Sequence, residues 1–162
     1  MDQSATMTQT SDPSSKMMDK AFVRKALQGG MAEVEMGKLA ATKGSSEDVK
    51  QFGQKMVDDH TKLGDQMKQI AGQMNVNVPE SLVKKDKAEV AKLNVLNGDA
   101  FDKAYIKQMV KDHKQDERDF KEEARNATDP NLKEAAMQGS QVIEQHLQMI
   151  EQIAQKNNVA SR

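Results

Sequence analysis

Two nearly identical pentapeptides hold two of the three histidines in this 162-residue chain, MVDDH at 56–60 and MVKDH at 109–113. The third histidine, His146, lies in the sequence IEQHL. Neutral imidazole is a common ligand of transition metals in proteins. Whether these histidines can act together depends on the side of the helix on which each one lies.

Each histidine lies in the apolar stripe of a helix-forming segment, at steps of three and four residues. Positions at this spacing share one face of a helix, and the apolar face is the buried one. The flanking stripe residues are Met56 and Leu63 for His60, Met109 and Phe120 for His113, and Ile143 and Ile150 for His146. All three histidines are therefore predicted to point into the protein interior.

A carboxylate occupies the same kind of position in the first helix, where Glu33 lies in the apolar stripe between Gly30 and Gly37. Burying a charged glutamate costs several kcal/mol unless another group pairs with it. The glycines leave room for a second backbone or a ligand to come close. Glu33 and the histidines each lie near the middle of their helix, so a rise of about 1.5 Å per residue puts all four at one level.

These four residues form a predicted metal site, because helical bundles build metal sites from the side chains of facing helices. The predicted ligands are Glu33, His60, His113 and His146. This set suits zinc, iron, copper or manganese, and the choice among them stays open. A ferritin-type di-iron centre needs a glutamate three residues before a histidine, where this chain has Val57, Val110 and Ile143. No catalytic residue is assigned.

The same residues also fit an interior without metal. Glu33 could pair with one histidine, and the cluster would then be a structural polar layer or a pH-sensitive cluster. The 12 methionines offer thioether ligands for Cu(I), but methionine more often fills the core of a chain with few aromatic residues. We interpret the methionines as core residues.

Three further polar residues are candidates for supporting the site. Asp59 and Asp112 directly precede two of the histidines. Neighbouring helix residues point about 100° apart, so each aspartate is expected either to orient a histidine of an adjacent helix or to remain a solvated charge. Tyr105 lies two turns before His113 and is expected to reach toward the layer or to pack structurally.

Capping signals and periodicity predict an all-α fold, a four-helix ferritin-like bundle with an additional short connecting helix. The long helices are predicted at about 19–43, 47–74, 99–126 and 130–157, and the short helix at about 81–96. The expected caps are Ser45 or Ser46, Asp99 and Asp129. Residues 1–18 are expected to be a disordered leader, and 19–158 the bundle domain.

The composition excludes several classes of function. The net charge of −1 offers no basic surface to nucleic acid, and no apolar run approaches the roughly 20 residues of a transmembrane helix. Without cysteine, disulfides and thiol chemistry are excluded as well. No signal peptide is recognised, which fits either a mature exported protein or a cytosolic one.

Three stretches, GGMAEVEMGKLAATKGSSEDVKQFGQKMVDDH, FDKAYIKQMVKDH and IEQHL, resemble a bacterial ferritin-like family catalogued as domain of unknown function 4142. Its members are often labelled outer membrane proteins. The resemblance covers about 20–154 and implies a four-helix bundle in an exported, periplasmic or secreted protein. It carries the recurring polar positions of the family to Glu33, Asp59, His60, Asp102, Tyr105, Asp112, His113 and His146. The family has no established activity, so the resemblance implies no reaction.

Together, these features predict an exported helical bundle that binds a transition metal through three histidines and one glutamate. The alternative is a non-catalytic envelope or stress protein whose buried polar layer serves packing or partner recognition. Whether the protein is an enzyme, and which protein partner it has, stay open.

Overall fold

The computed structural model describes residues 12–160, which contain five α-helices and no β-strand. The helices are α1 (Pro13–Lys43), α2 (Glu47–Gln73), α3 (Lys84–Asn94), α4 (Gly98–Asn126) and α5 (Pro130–Lys156). The predicted all-α class is confirmed, with four long helices and one short connecting helix. Among the described helices, none is both long and apolar enough to cross a membrane.

Three of the helix starts differ from the prediction, including that of α3, which begins at Lys84 instead of at about 81. α1 begins at Pro13, where the Asp12 side chain accepts a hydrogen bond from the Ser14 N–H, so residues 13–18 of the predicted leader are helical. Residues 1–11 lie outside the described part of the chain. α4 begins at Gly98 instead of after Asp99, because Gly98 has a φ of +57° and turns the chain into the helix.

The caps of α2 and α5 are the predicted ones. Ser46 Oγ accepts from the Val49 N–H at 3.2 Å, and Asp129 Oδ1 accepts from the Leu132 N–H at 2.9 Å. Pro130 stands at the first turn of α5, where its missing N–H costs nothing.

Two buried aspartates fix how the long helices are arranged. Asp102, near the start of α4, accepts from the backbone N–H groups of Ser45 and Ser46 at 2.8 Å each, in the turn between α1 and α2. Asp19, near the start of α1, accepts from the N–H groups of Thr128 and Asp129 at 3.0 Å each, in the turn between α4 and α5. α1 is therefore antiparallel to α4, and the segment containing α3 connects the far end of α2 to the start of α4.

The hydrophobic core has two halves. One half includes Phe52, Met56, Met109 and Ile150, and the other includes Val23, Met67, Phe120 and Leu132. Buried methionines belong to both halves, as expected for core residues. The buried Glu33, His60, His113 and His146 lie along their helices between these two sets of residues. A polar layer therefore separates two apolar regions.

A close contact between α1 and α2 is made through glycine. A Cβ atom on Gly37 would lie 2.8 Å from the Gly53 carbonyl oxygen, and one on Gly53 would lie 2.7 Å from the Ala41 backbone nitrogen. Gly37 therefore admits a second backbone, as its place beside Glu33 predicts. Nothing lies within 4 Å of the corresponding position on Gly30.

Candidate metal centre

Three helices bring the three histidines together in the interior. His60 of α2 is 5% exposed, and His113 of α4 and His146 of α5 are fully buried. One ring nitrogen from each histidine lies within 4.8 Å of those from the other two. The ring centroids are 5.3–5.8 Å apart. The predicted convergence of the three side chains is thus observed.

One nitrogen of each ring faces an oxygen on the outside of the cluster. His60 Nδ1 is 3.0 Å from Glu33 Oε2, and His146 Nε2 is 2.8 Å from Asp59 Oδ2. His113 Nδ1 is 2.9 Å from the backbone oxygen of Met109, one turn earlier in α4. Since a carbonyl oxygen can only accept, His113 Nδ1 carries a proton and donates it. These contacts fix the orientation of all three rings.

The other nitrogen of each ring has no partner. His60 Nε2, His113 Nε2 and His146 Nδ1 are buried and have no hydrogen-bond partner among residues 12–160. A buried polar atom without a partner costs about 1–3 kcal/mol. Three such atoms on three adjacent rings are the arrangement that a metal ion would satisfy at once, because each offers a lone pair.

The spacing of the rings is slightly wider than a bound metal requires. Zinc–nitrogen bonds of about 2.0–2.1 Å at tetrahedral angles place the ligand nitrogens about 3.3 Å apart. The nitrogens here lie within 4.8 Å, so rotations that bring each ring closer by about an ångström would complete the site.

Burial keeps the rings neutral. Burial and the two neighbouring imidazoles hold the pKa of His60 well below its usual value, and burial lowers the pKa of His113 to about 3. Burial also lowers the pKa of His146, although Asp59 beside it acts in the opposite direction. Neutral imidazole is the form that binds metal, so the site needs no deprotonation at neutral pH.

Glu33 lies beside the rings and outside the group of three nitrogens. Its Oε2 faces His60 Nδ1, and its Oε1 is 3.6 Å from His113 Nδ1. Burial, together with the charges of Asp116 and Asp112, raises the pKa of Glu33 well above its usual value. This position allows Glu33 to orient His60 through its outer nitrogen, whereas His113 Nδ1 donates to the Met109 oxygen.

The three supporting residues predicted from the sequence differ in the contacts that they make. Asp59 contacts His146 on the adjacent helix α5, and hydrogen bonds from His146 and Lys55 lower its pKa against the effect of burial. Asp112 accepts from Gln108 Nε2 in its own helix, at 2.9 Å and 3.0 Å. Tyr105 is fully buried, and its hydroxyl has no hydrogen-bond partner among the described residues.

Three features of the site were not found from the sequence. The Met109 carbonyl orients His113, and a backbone acceptor leaves no signal in side-chain patterns. The Phe52 ring packs edge-on against His113 and His146, with centroids 6.2 Å away from both. Asp116 lies near Glu33, and its charge helps to raise the pKa of Glu33. Its spacing of three residues from His113 could have indicated a shared face.

Two solved structures share the fold. One is the crystal structure of a DUF305 fragment from Deinococcus radiodurans, with a TM-score of 0.75 and 14% identity, covering 85% of this chain and 95% of that chain. The other is a candidate secreted DUF305 protein from Streptomyces coelicolor, with a TM-score of 0.74 and 16% identity, covering 87% and 94%. Identities this low show the fold alone.

Among curated proteins, none matches the chain significantly. A family model does match, over residues 4–153, and its description is Domain of unknown function (DUF4142). Neither this description nor the two structures carry the ferritin-like or outer membrane labels that the resemblance suggested. Because the model covers nearly the whole chain, this protein belongs to the DUF4142 family.

Proposed function

We propose that this protein binds one transition metal ion through His60 Nε2, His113 Nε2 and His146 Nδ1. The observation that carries the proposal is the set of three buried nitrogens without partners on converging rings. Histidines that bind metal almost always donate the other ring N–H to a carboxylate or a carbonyl oxygen, and each outer nitrogen here faces such an oxygen.

Glu33 and Asp59 act in this proposal as carboxylates that orient ligands. Each faces the outer nitrogen of a histidine, which fixes the tautomer and makes the inner nitrogen a better donor. Glu33 is thus assigned to orientation of His60 rather than to direct binding. Three protein ligands leave a coordination position free for water or a small molecule, as in catalytic metal sites.

The ligand set bears on which metal binds. Three imidazoles without a thiolate suit Zn²⁺, Cu²⁺, Fe²⁺ or Mn²⁺, and such sites generally bind Cu²⁺ most tightly and Mn²⁺ least tightly. We expect this order in competition experiments. The metal held in the cell also depends on availability.

Metal content after reconstitution tests the proposal. The protein is incubated with Fe²⁺, Zn²⁺, Mn²⁺ or Cu²⁺, desalted and analysed by mass spectrometry for metal per chain. The matched control is the double variant Gln145→His/His146→Gln, which keeps three histidines but moves one to an exposed position on α5. We expect about one tightly bound Zn²⁺ or Cu²⁺ in the wild type and none in the control variant.

A structural polar layer is the second candidate function. It is favoured by the contacts of Glu33 with His60 and of Asp59 with His146, which join α1 to α2 and α2 to α5. If the polar layer is purely structural, the Gln145→His/His146→Gln variant changes the stability of the protein and not its metal content. Folded wild-type protein that stays free of metal in all four reconstitutions would leave this candidate standing.

We further propose that the protein works outside the cytoplasm. Support comes from the resemblance of its sequence to exported proteins and from the candidate secreted protein among its structural relatives. Cell fractionation of the native host with an antibody against this chain tests the assignment. Recovery in the cytoplasmic fraction would contradict it.

A further inference from the structure

The three histidines differ in how closely they approach solvent. His113 and His146 are fully buried, whereas a small part of the His60 surface is exposed. A metal ion that binds all three rings has to come from solvent. His60 is therefore the histidine at which a path into the cluster is to be sought.

A groove on the surface of the bundle leads to His60. Its walls belong to α1, α2 and the segment between α2 and α3, and they include apolar and polar side chains such as Met31, Leu82, Thr61 and Ser81. Its volume is about 430 Å³. A water molecule in the liquid occupies about 30 Å³, so the groove has room for roughly ten or more. It is therefore wide enough to admit a hydrated ion as far as His60, the one histidine in its lining.

The groove adjoins a smaller cavity in the interior. Gly30 of α1, together with His60 and Gly64 of α2, lines both spaces. Glu33 lines the smaller cavity, which has a volume of about 30 Å³. This volume is enough for a water molecule, since about 10–15 Å³ suffices. The two spaces therefore meet at His60, beside its partner Glu33.

Gly30 and Gly64 keep this meeting point open. Nothing lies within 4 Å of a Cβ atom added to either residue, whereas Gly37 and Gly53 contact the backbone of the facing helix. Glycine inside a helix is less favourable than alanine. Close packing accounts for Gly37 and Gly53, and open space beside His60 accounts for Gly30 and Gly64.

Two buried side chains at the inner end of the groove have an atom without a partner. His60 Nε2 and Glu33 Oε1 make no hydrogen bond among residues 12–160. His60 is 5% exposed and Glu33 is 3% exposed, and both line the smaller cavity. A solute that arrives from the groove would give these atoms the partner that the fold leaves out, which offsets the cost of their burial.

We infer that this groove is the route by which small solutes, including the metal ion, pass from solvent to the three histidines, and that His60 is the first of them to be reached. We call it the entry groove. Its role in loading the metal centre rests on the proposed function. The access of small solutes to His60 does not.

Two variants block the entry groove in different ways. Gly30→Leu/Gly64→Leu places side chains in the open space beside His60. Ser81→Trp narrows the groove from the segment between α2 and α3 and leaves both helices unchanged. The control is Gly72→Leu on α2, which also has nothing within 4 Å of its added Cβ but lines neither space. Circular dichroism verifies that each protein is folded.

Access is measured on the metal-free protein by nuclear magnetic resonance with dissolved dioxygen, a small paramagnetic molecule. The relaxation that dioxygen causes is recorded for the ring protons of the three histidines. We expect it to be several-fold larger for His60 than for His113 and His146. Both blocking variants should reduce it at His60, and Gly72→Leu should not.

Three results would overturn the inference. One is equal relaxation of all three histidines in the wild type. Another is relaxation of His60 in either blocking variant that is as large as in the wild type. The third is a reduction of the same size in the Gly72→Leu control.

Stopped-flow Zn²⁺ uptake tests the loading role. Both blocking variants should take up Zn²⁺ at least tenfold more slowly than the wild type and Gly72→Leu, with the same final content, because they change the path and not the ligands. An equal rate in Ser81→Trp, which leaves the helices of the site unchanged, would overturn the loading role. If dioxygen reaches His60 as expected but the wild type binds no Zn²⁺ or Cu²⁺, the three-histidine proposal fails while the entry groove stands.

Discussion

At the scale of single residues, the site depends on which nitrogen of each histidine is already engaged. The Met109 carbonyl and the carboxylates of Glu33 and Asp59 face the outer nitrogens, so the inner nitrogens are the ones left without a partner among the described residues. A metal ion is one partner that all three inner nitrogens can share. Without it, the folded protein carries the cost of three unpaired buried atoms.

Removing Asp59 should weaken metal binding without unfolding the protein. Asp59 holds the outer nitrogen of His146, and loss of such a partner typically lowers metal affinity by about 10–100-fold. Zn²⁺ titration by calorimetry on Asp59→Ala measures the change. The adjacent, exposed Asp58 accepts a hydrogen bond from Gln54 in its own helix and does not contact a histidine among residues 12–160, so Asp58→Ala should retain wild-type affinity. Equal affinities of the two variants would contradict the assigned role of Asp59.

Acid should destabilise the metal-free protein through its histidines. Burial lowers the pKa of His113 to about 3, whereas that of an exposed histidine is about 6.5. Between these values the unfolded chain binds more protons, so the free energy of unfolding falls as the pH is lowered from about 6.5 toward 3. Urea unfolding at a series of pH values measures this fall. The fall in the free energy of unfolding should be less steep in His113→Gln than in the wild type. The same slope in both proteins would contradict the account.

The residue types of the site were predictable, but their contacts were not. The apolar stripes indicate that Glu33 and the three histidines face inward, because periodicity reports burial. The pairing of Asp59 with His146 joins residues far apart in sequence, and it depends on which helices are neighbours. Asp112 has nearly the same local sequence as Asp59, but it contacts Gln108 instead.

At the scale of the helices, the α1–α2 contact sets where Glu33 and His60 meet. Gly37 lies one turn after Glu33, and Gly53 lies on α2 opposite it. The close approach of the two backbones brings the Glu33 carboxylate to 3.0 Å from His60 Nδ1. A larger residue at either glycine would separate the two helices.

Gly53→Ala should therefore destabilise the protein. The added Cβ would lie 2.7 Å from the Ala40 Cβ, the Ala41 nitrogen and the Gly37 oxygen, and overpacking of this kind costs about 1–3 kcal/mol. Urea unfolding measures the loss. Gly72→Ala is the control, since nothing lies within 4 Å of its added Cβ and alanine favours the helix by about 0.5–1 kcal/mol. Stability of Gly53→Ala at or above the wild type would show that the helices can separate without cost.

The helices themselves were largely predictable from local signals. Ser46 and Asp129 cap α2 and α5 as expected, because a cap is a short-range interaction. The start of α1 was placed too late, although Asp12–Pro13 is the same kind of signal as Asp129–Pro130. The family resemblance names Asp102 as a recurring polar position but does not give its role. Its contacts are with the α1–α2 turn, which only the folded arrangement brings near.

At the scale of the whole molecule, the polar layer lies between two hydrophobic half-cores. Along the helices, Glu33 and each histidine lie between residues of one half-core and residues of the other. A ligand bound by the three histidines would connect α2, α4 and α5 directly, and α1 through the contact of Glu33 with His60. The common level of Glu33 and the three histidines was predictable from the sequence, because the middle of a helix keeps its height in the bundle whichever way the helix runs. The order of the helices around the bundle was not.

Metal should raise the melting temperature of the whole bundle. A ligand at 100 times its Kd adds about 2.7 kcal/mol to the free energy of unfolding, which for a chain of this size is a shift of about 5–10 °C. Differential scanning calorimetry with and without Zn²⁺ measures the shift. It should be absent in Gln145→His/His146→Gln, and a shift of the same size in that variant would place the ion elsewhere.

The most direct test of the central claim is X-ray absorption spectroscopy of the Zn²⁺-loaded protein, because it counts the imidazoles around the metal. The account predicts three nitrogen ligands at about 2.0–2.1 Å with the outer-shell scattering of imidazole, and one further light atom. A shell made of oxygen ligands, or with fewer than three imidazoles, would contradict a metal centre built from His60, His113 and His146.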